Sequence, residues 1–218
     1  MDLRRLCPPV YSQEALESCS ANAVAAAVEF DLMREAGKRI IFPSRLFLFY
    51  NTRAVEGTTR QNTGTSVRDT IKSVAKVGVC PESLWPYIEK NFSHKPPKVC
   101  YTKATKYRVV EYRRVHRNID DFRACLASGF PFIFGFSAYD LFRDVVWESG
   151  RLEMPKPHEG KLGRHAVMAV GYEHDRKRLI VRNSWGPGFG LRGYFTMPYG
   201  YLTREDYSSD FWTIRVVT

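Results

Sequence analysis

The stretch Cys19-Ser-Ala-Asn-Ala-Val-Ala-Ala-Ala-Val-Glu-Phe30 limits what this chain can fold into more than any other. Alanine is the best helix former, and no Gly or Pro interrupts the run, so it is predicted to be helical. Ser18 stands where an N-cap belongs and Gly37 where a stop signal belongs, predicting a helix from about Cys19 to Gly37. A single thiol is thereby placed at the start of a helix. A cysteine there is either a small buried hydrophobe or a nucleophile, because unpaired N–H groups and the macrodipole favour a thiolate at that end.

The remainder divides into helices first and strands second. Ser44 opens an apolar helical run through Leu46, Phe47, Phe49 and Tyr50, and Ser66-Val-Arg-Asp69 resembles a capping box that starts a third helix ending at Gly78. Between them, 56–65 is a polar loop rich in turn formers. From Tyr107 onward β-branched and aromatic residues dominate. Strands are predicted over 107–115, 132–136, 165–172, 179–183, 194–197 and 211–216, with a short helix over 119–128. Helices followed by strands indicate an α+β protein, not an alternating βαβ sheet.

At 218 residues and 44% hydrophobic content the chain can bury a substantial core. It has no apolar run of the roughly 20 residues that span a bilayer, and its N-terminal segment lacks the apolar centre of a signal peptide, so no membrane association is expected. The net charge of +10 comes from scattered Lys and Arg with no recognition-helix, zinc-finger or RNA-binding signature, which disfavours nucleic acid as a partner. Five cysteines at 7, 19, 80, 100 and 125 are odd in number and irregular in spacing, poor grounds for a disulfide framework. No metal-ligand spacing occurs among them or the histidines, so neither metal nor cofactor is expected.

Chemistry concentrates at three places. His165 begins a strand of small apolar residues, Leu179–Asn183 is a second strand ending in Asn and a glycine-rich turn, and a hairpin between the two would bring Asn183 beside His165. Cys19, His165 and Asn183, widely separated, follow the order of a thiol nucleophile, its base and an amide that orients the imidazole.

The motifs around these residues resemble the papain-like cysteine peptidases. Gln13 stands six residues before Cys19, His165-Ala-Val-Met-Ala-Val-Gly-Tyr172 matches the family's histidine strand, and Asn183-Ser-Trp-Gly-Pro-Gly-Phe-Gly190 followed by Gly193-Tyr194 matches its asparagine turn. The opening Asp2-Leu-Arg and the closing Asp210-Phe-Trp-Thr-Ile-Arg215 look like a divergent, bacterial-type or viral-type branch. The resemblance implies a single catalytic domain over 1–218, with a helical left lobe at roughly 8–104, a β-barrel right lobe at roughly 105–218 plus the N-terminal segment, and a cleft between them. It implies a monomeric thiol endopeptidase acting on peptide or protein substrates through a Cys19 thiolate and a thioester acyl-enzyme. His165 would be base and acid, Asn183 would fix its tautomer under Trp185, and Gln13 would donate to the oxyanion. Gly64, Thr65, Arg164 and Trp185 would line the substrate; Gly64 also reads as a plain turn glycine.

Three departures stand out. Ser20 replaces the family's Trp after the nucleophile, Glu14-Ala-Leu-Glu17 replaces its Gly-Ser-Cys-Gly linker, and Arg164 replaces the usual Asn or Asp before the histidine. They keep open an alternative, a weak or inactive papain-fold module that binds peptide or protein, although Gln13, Cys19, His165 and Asn183 are all present. The family's disulfide between the positions of Leu16 and Gln61 is missing at both ends. Its loss implies five free thiols and a reducing compartment such as a cytosol.

Overall fold

The computed structural model describes residues 1–36 and 41–217. The alanine-rich run is helix α1, Cys19–Ala36, and α2 (Arg45–Glu56) and α3 (Val67–Val77) follow. Ala21, Val24, Ala25 and Val28 of α1 are all buried, and the helix packs on α2, α3 and the sheet at once, because alanine lets backbones approach closely. The expected stop at Gly37 lies outside the described residues.

The caps of α2 and α3 form as expected. Ser44 Oγ accepts from Phe47 N at 3.2 Å, Ser66 Oγ accepts from Asp69 N at 3.0 Å, and α3 ends at Gly78. Gly78 is required there: its φ is +85°, and a Cβ would lie 1.9 Å from the Ala104 carbonyl oxygen. Ser18 does not cap α1 through its side chain. Its carbonyl accepts from Asn22 N, while its hydroxyl is shared with Tyr87 Oη and Asn22 Nδ2.

Strands β1 (Val109–Arg114), β2 (Phe132–Tyr139), β3 (Lys161–Glu173), β4 (Arg178–Arg182), β5 (Tyr194–Pro198) and β6 (Ser208–Val217) form one antiparallel sheet in the order β1-β6-β2-β3-β4-β5. The sheet is open, with β1 and β5 at its edges, so the expected barrel is an unclosed sheet. The expected strands sit at these places, and the helix over 119–128 is present as Ile119–Ala127. Three further helices lay outside the sequence reading: Lys98–Ala104, Asp140–Ser149 and Tyr199–Thr203. The second of these carries Phe142, Arg143 and Trp147.

The N-terminal segment returns to the sheet, Leu3 N donating to Val170 O at 2.8 Å and Tyr172 N to Met1 O at 2.9 Å. Gly171 makes the approach possible, because a Cβ would stand 2.6 Å from Met1 O.

Candidate active site

Cys19 is the first residue of α1 and is only 7% exposed. Its own N–H falls in the first turn, where no intrahelical acceptor exists. The backbone N–H groups of Ala166 and Ser20 point at the sulfur, which sets the thiol against β3 beside His165; burial nevertheless outweighs them and pushes the thiol up. Burial also pushes His165 down to about 4, against its bond to Asn183. Among the described residues no hydrogen bond joins Cys19 to His165. Burial thus opposes charge on both groups, while the helix start and the two N–H groups favour a thiolate.

The protonation pattern of His165 follows from its neighbours. His165 Nε2 lies 2.7 Å from Asn183 Oδ1, and that same oxygen accepts from the backbone N–H of Ser184 at 2.8 Å. Only an oxygen can accept from the Ser184 N–H, so the amide orientation is fixed and Nε2 must be the ring donor. Nδ1 is left as the basic nitrogen. Pairing of Phe136 with His165 across β2 and β3 sets the imidazole against an aromatic cluster. Trp185 covers it with ring centroids 5.0 Å apart, and fully buried Phe142 touches Phe136, His165, Trp185, Phe189 and Phe195.

Gln13 is fixed by five hydrogen bonds. Its N donates to Ser184 O at 2.8 Å, its O accepts from Tyr87 Oη at 2.8 Å and from Leu16 N at 3.2 Å, its Oε1 accepts from Ser184 Oγ at 2.7 Å, and its Nε2 donates to Leu16 O at 2.9 Å. Because Ser184 holds the oxygen, the amide nitrogen is the end turned toward Leu16, with one N–H left over.

Cys19 and His165 open onto a cavity of about 680 Å³ whose lining includes Gly64, Thr65, Val67, Gly135 and Arg164. Gly64 has no positive φ, and an added Cβ would meet only Glu17 O at 3.8 Å, so neither turn geometry nor crowding requires glycine there. Thr65 Oγ1 bonds Ser20 Oγ at 2.6 Å and Thr70 Oγ1 at 3.2 Å, a hydroxyl chain that ties α1 to α3 where the resembling family has its Trp. Arg164 is exposed, its guanidinium bonded to Ser209 Oγ and without an ion-pair partner among the described residues. On the other side of Trp185 a second cavity of about 330 Å³ is lined by Ser12, Glu14, Arg143 and Trp147.

Sequence reading missed the residues that hold these groups. Ser184 lay inside a recognised motif but had no role; Tyr87, and Arg45, which donates to Ser12 O at 2.9 Å while paired with Glu82 at 2.7 Å, gave no signal. The helix carrying Phe142 could have been found from Phe142 and Val146, buried four residues apart before Gly150. All five cysteines are free. Among the described residues no group of His, Cys, Asp and Glu could hold a metal, and no helix is long and apolar enough to cross a membrane.

Comparison with known proteins identifies the family. The model of the papain family cysteine proteases matches residues 1–208. An uncharacterized peptidase C1-like protein of Acanthamoeba polyphaga mimivirus is 41% identical over 215 residues, covering 94% of this chain and 69% of the relative. Chymopapain of Carica papaya is 28% identical over 133 residues, or 58% of this chain and 35% of its own length. Among solved structures, Xylellain, a cysteine protease from Xylella fastidiosa, superposes with a TM-score of 0.92 at 40% identity, covering 98% of this chain and 85% of that one. The chain belongs to the papain family of cysteine proteases, alongside its viral and bacterial members.

Proposed function

We propose that this peptidase hydrolyses peptide bonds with Cys19 as nucleophile, His165 as base and acid, Asn183 as the orienting amide, and Gln13 with the Cys19 N–H as oxyanion donors. The observation that carries the reading is Asn183 Oδ1 accepting from both His165 Nε2 and Ser184 N, which leaves His165 Nδ1 basic. The catalytic cleft is taken to lie between a left lobe at roughly 8–104 and a right lobe at roughly 105–218 with the N-terminal segment.

In this scheme Sγ passes its proton to Nδ1, the resulting thiolate attacks the docked substrate carbonyl, a C–S bond forms, and the carbonyl oxygen takes up negative charge against the free N–H of Gln13 and the N–H of Cys19. Collapse expels the amine, which takes its proton from His165, and leaves a thioester. A water molecule, deprotonated by the same nitrogen, then releases the acid and restores the thiol. Gly64, Thr65 and Arg164 would contact substrate on the acyl side, where a wall glycine lets an extended peptide lie close, and Trp185 would border the leaving side.

A fluorogenic dipeptide assay in reductant, run beside a peptide mixture whose cleavage sites are read by mass spectrometry, tests this. Turnover by the parent and none by Cys19→Ala is expected. Saturable peptide binding without turnover by the parent would replace the peptidase mechanism with a binding module.

A further inference from the structure

The loop carrying Gly64 is fastened by a device that touches no substrate. Arg53 of α2 is fully buried, and burial lowers its pKa to about 10. Among the described residues no carboxylate is bonded to it, and Glu56 acts on it only from a distance. Its guanidinium donates instead to carbonyls: Phe49 O at 3.1 Å, Thr59 O at 3.0 Å, Gln61 O at 2.6 Å and Phe92 O at 2.6 Å. This holds the 59–61 backbone and presents Asn62. The Asn62 side chain then reaches the segment ahead of Cys19, with Oδ1 accepting from Glu17 N at 2.9 Å and Nδ2 donating to Ala15 O at 3.2 Å. The two bonds bracket Leu16, whose carbonyl receives the Gln13 Nε2 donor at 2.9 Å.

We infer that Asn62 is a positioning residue for the oxyanion donor: presented by the loop that Arg53 holds, it clamps the backbone on both sides of Leu16 and thereby aims the Gln13 amide. The inference rests on the reading of Gln13 given above. Leu16 and Gln61 are also the two positions at which the resembling family would carry a disulfide. The polar clamp makes the same connection between the same segments without a covalent bond, so its geometry does not depend on redox state. Leu16 is 5% exposed, so its carbonyl cannot swing far once Ala15 and Glu17 are pinned. An oxyanion donor is effective only when preorganised, and displacement by a fraction of an ångström weakens it.

Asn62→Ala is the test, because Asn62 is exposed and its removal opens no core cavity, whereas Arg53→Ala could unfold the loop. Turnover of a fluorogenic peptide should fall about tenfold in kcat with little change in KM, less than the roughly 10²-fold expected for removing the donor itself. Affinity for a peptide aldehyde, which forms an oxyanion on adding to the thiol, should fall in step. Alkylation of Cys19 by iodoacetamide, which forms none, should stay within about twofold of the parent, whereas general damage to the site would slow both. In a Gln13→Ala background the further loss should disappear. Asn62→Asp, which keeps the acceptor for Glu17 N, should recover part of the rate. Parental kcat in Asn62→Ala, or losses that simply multiply with Gln13→Ala, would overturn the inference. A readout free of turnover separates it from the peptidase reading: the Gln13 side-chain amide signal in a nitrogen–proton NMR spectrum should move in Asn62→Ala. An unmoved signal overturns the clamp, while a parent without turnover overturns the peptidase reading.

Discussion

The two sides of the cleft are built on different physical principles. The side bearing Cys19 is a helix start and two loops joined by individual hydrogen bonds, in which Tyr87, Ser184, Asn62 and the Ser20–Thr65–Thr70 hydroxyl chain hold separate backbone and side-chain groups. The side bearing His165 is a paired strand set into a cluster of Phe136, Phe142, Phe189, Phe195 and Trp185. Polar clamps act locally and one at a time, each worth on the order of 1 kcal/mol, while an aromatic cluster is lost or kept as a unit. Substitutions on the first side should change rate while leaving stability, and those on the second should change both.

Cys19→Ala gives the largest contrast. Turnover should vanish while the urea midpoint stays near that of the parent, since one sulfur atom at a helix start carries little packing. Hydrolysis by this variant would move the nucleophile elsewhere. Phe142→Ala should be the opposite case, losing about 3–5 kcal/mol of stability through a cavity beside His165 and losing activity with it. A urea midpoint unchanged in Phe142→Ala would mean that the aromatic side does not act as a unit.

Acid should expose the same side next. His165 is held at about 4 when folded, against an ordinary 6.5, so the unfolded chain binds a proton that the folded chain does not. Its contribution is present above pH 6.5 and lost as pH falls toward 4, up to about 3 kcal/mol. Asp31, raised by burial to about 6, has the opposite sign: it favours the fold below its ordinary 3.8 and loses that contribution as pH rises through 6. Urea stability of His165→Ala between pH 4 and 7 should therefore fall less steeply than that of the parent; parallel curves would show that the imidazole is not desolvated.

On the Cys19 side, Gln13→Ala should reduce kcat about 10²-fold, or roughly 2.7 kcal/mol, with the melting temperature hardly moved. A variant as fast as the parent would take Gln13 out of the oxyanion site. The smallest effect expected is that of Ser66→Ala, which removes the α3 cap and should cost about 1 kcal/mol of stability while cleavage continues. Loss of cleavage in that variant would show that α3 tunes the cleft and does more than support it.

The partition into helices then strands, the existence of α1, the caps at Ser44 and Ser66, and the neighbourhood of His165 and Asn183 were all legible in the sequence. Each depends on propensity, period or a short motif, and those signals act over a few residues. The Ser18 cap failed for a tertiary reason: its hydroxyl has a partner in Tyr87, which no local pattern reveals. The barrel became an open sheet because closure depends on whether β1 and β5 meet, and strand patterns do not encode that. The helix at Asp140–Ser149 escaped notice because its apolar stripe is short.

What the sequence determined by itself is which groups the chain carries and in what order, Gln13, Cys19, His165 and Asn183. Tertiary structure alone decided their chemical surroundings: which nitrogen of His165 holds the proton, which end of the Gln13 amide faces Leu16, and how strongly burial acts against charge on the thiol and the imidazole. The physical reason is that proton positions and amide orientations are set by single donors such as Ser184 and by exclusion of water. Both arise only when residues up to 171 positions apart are brought into contact.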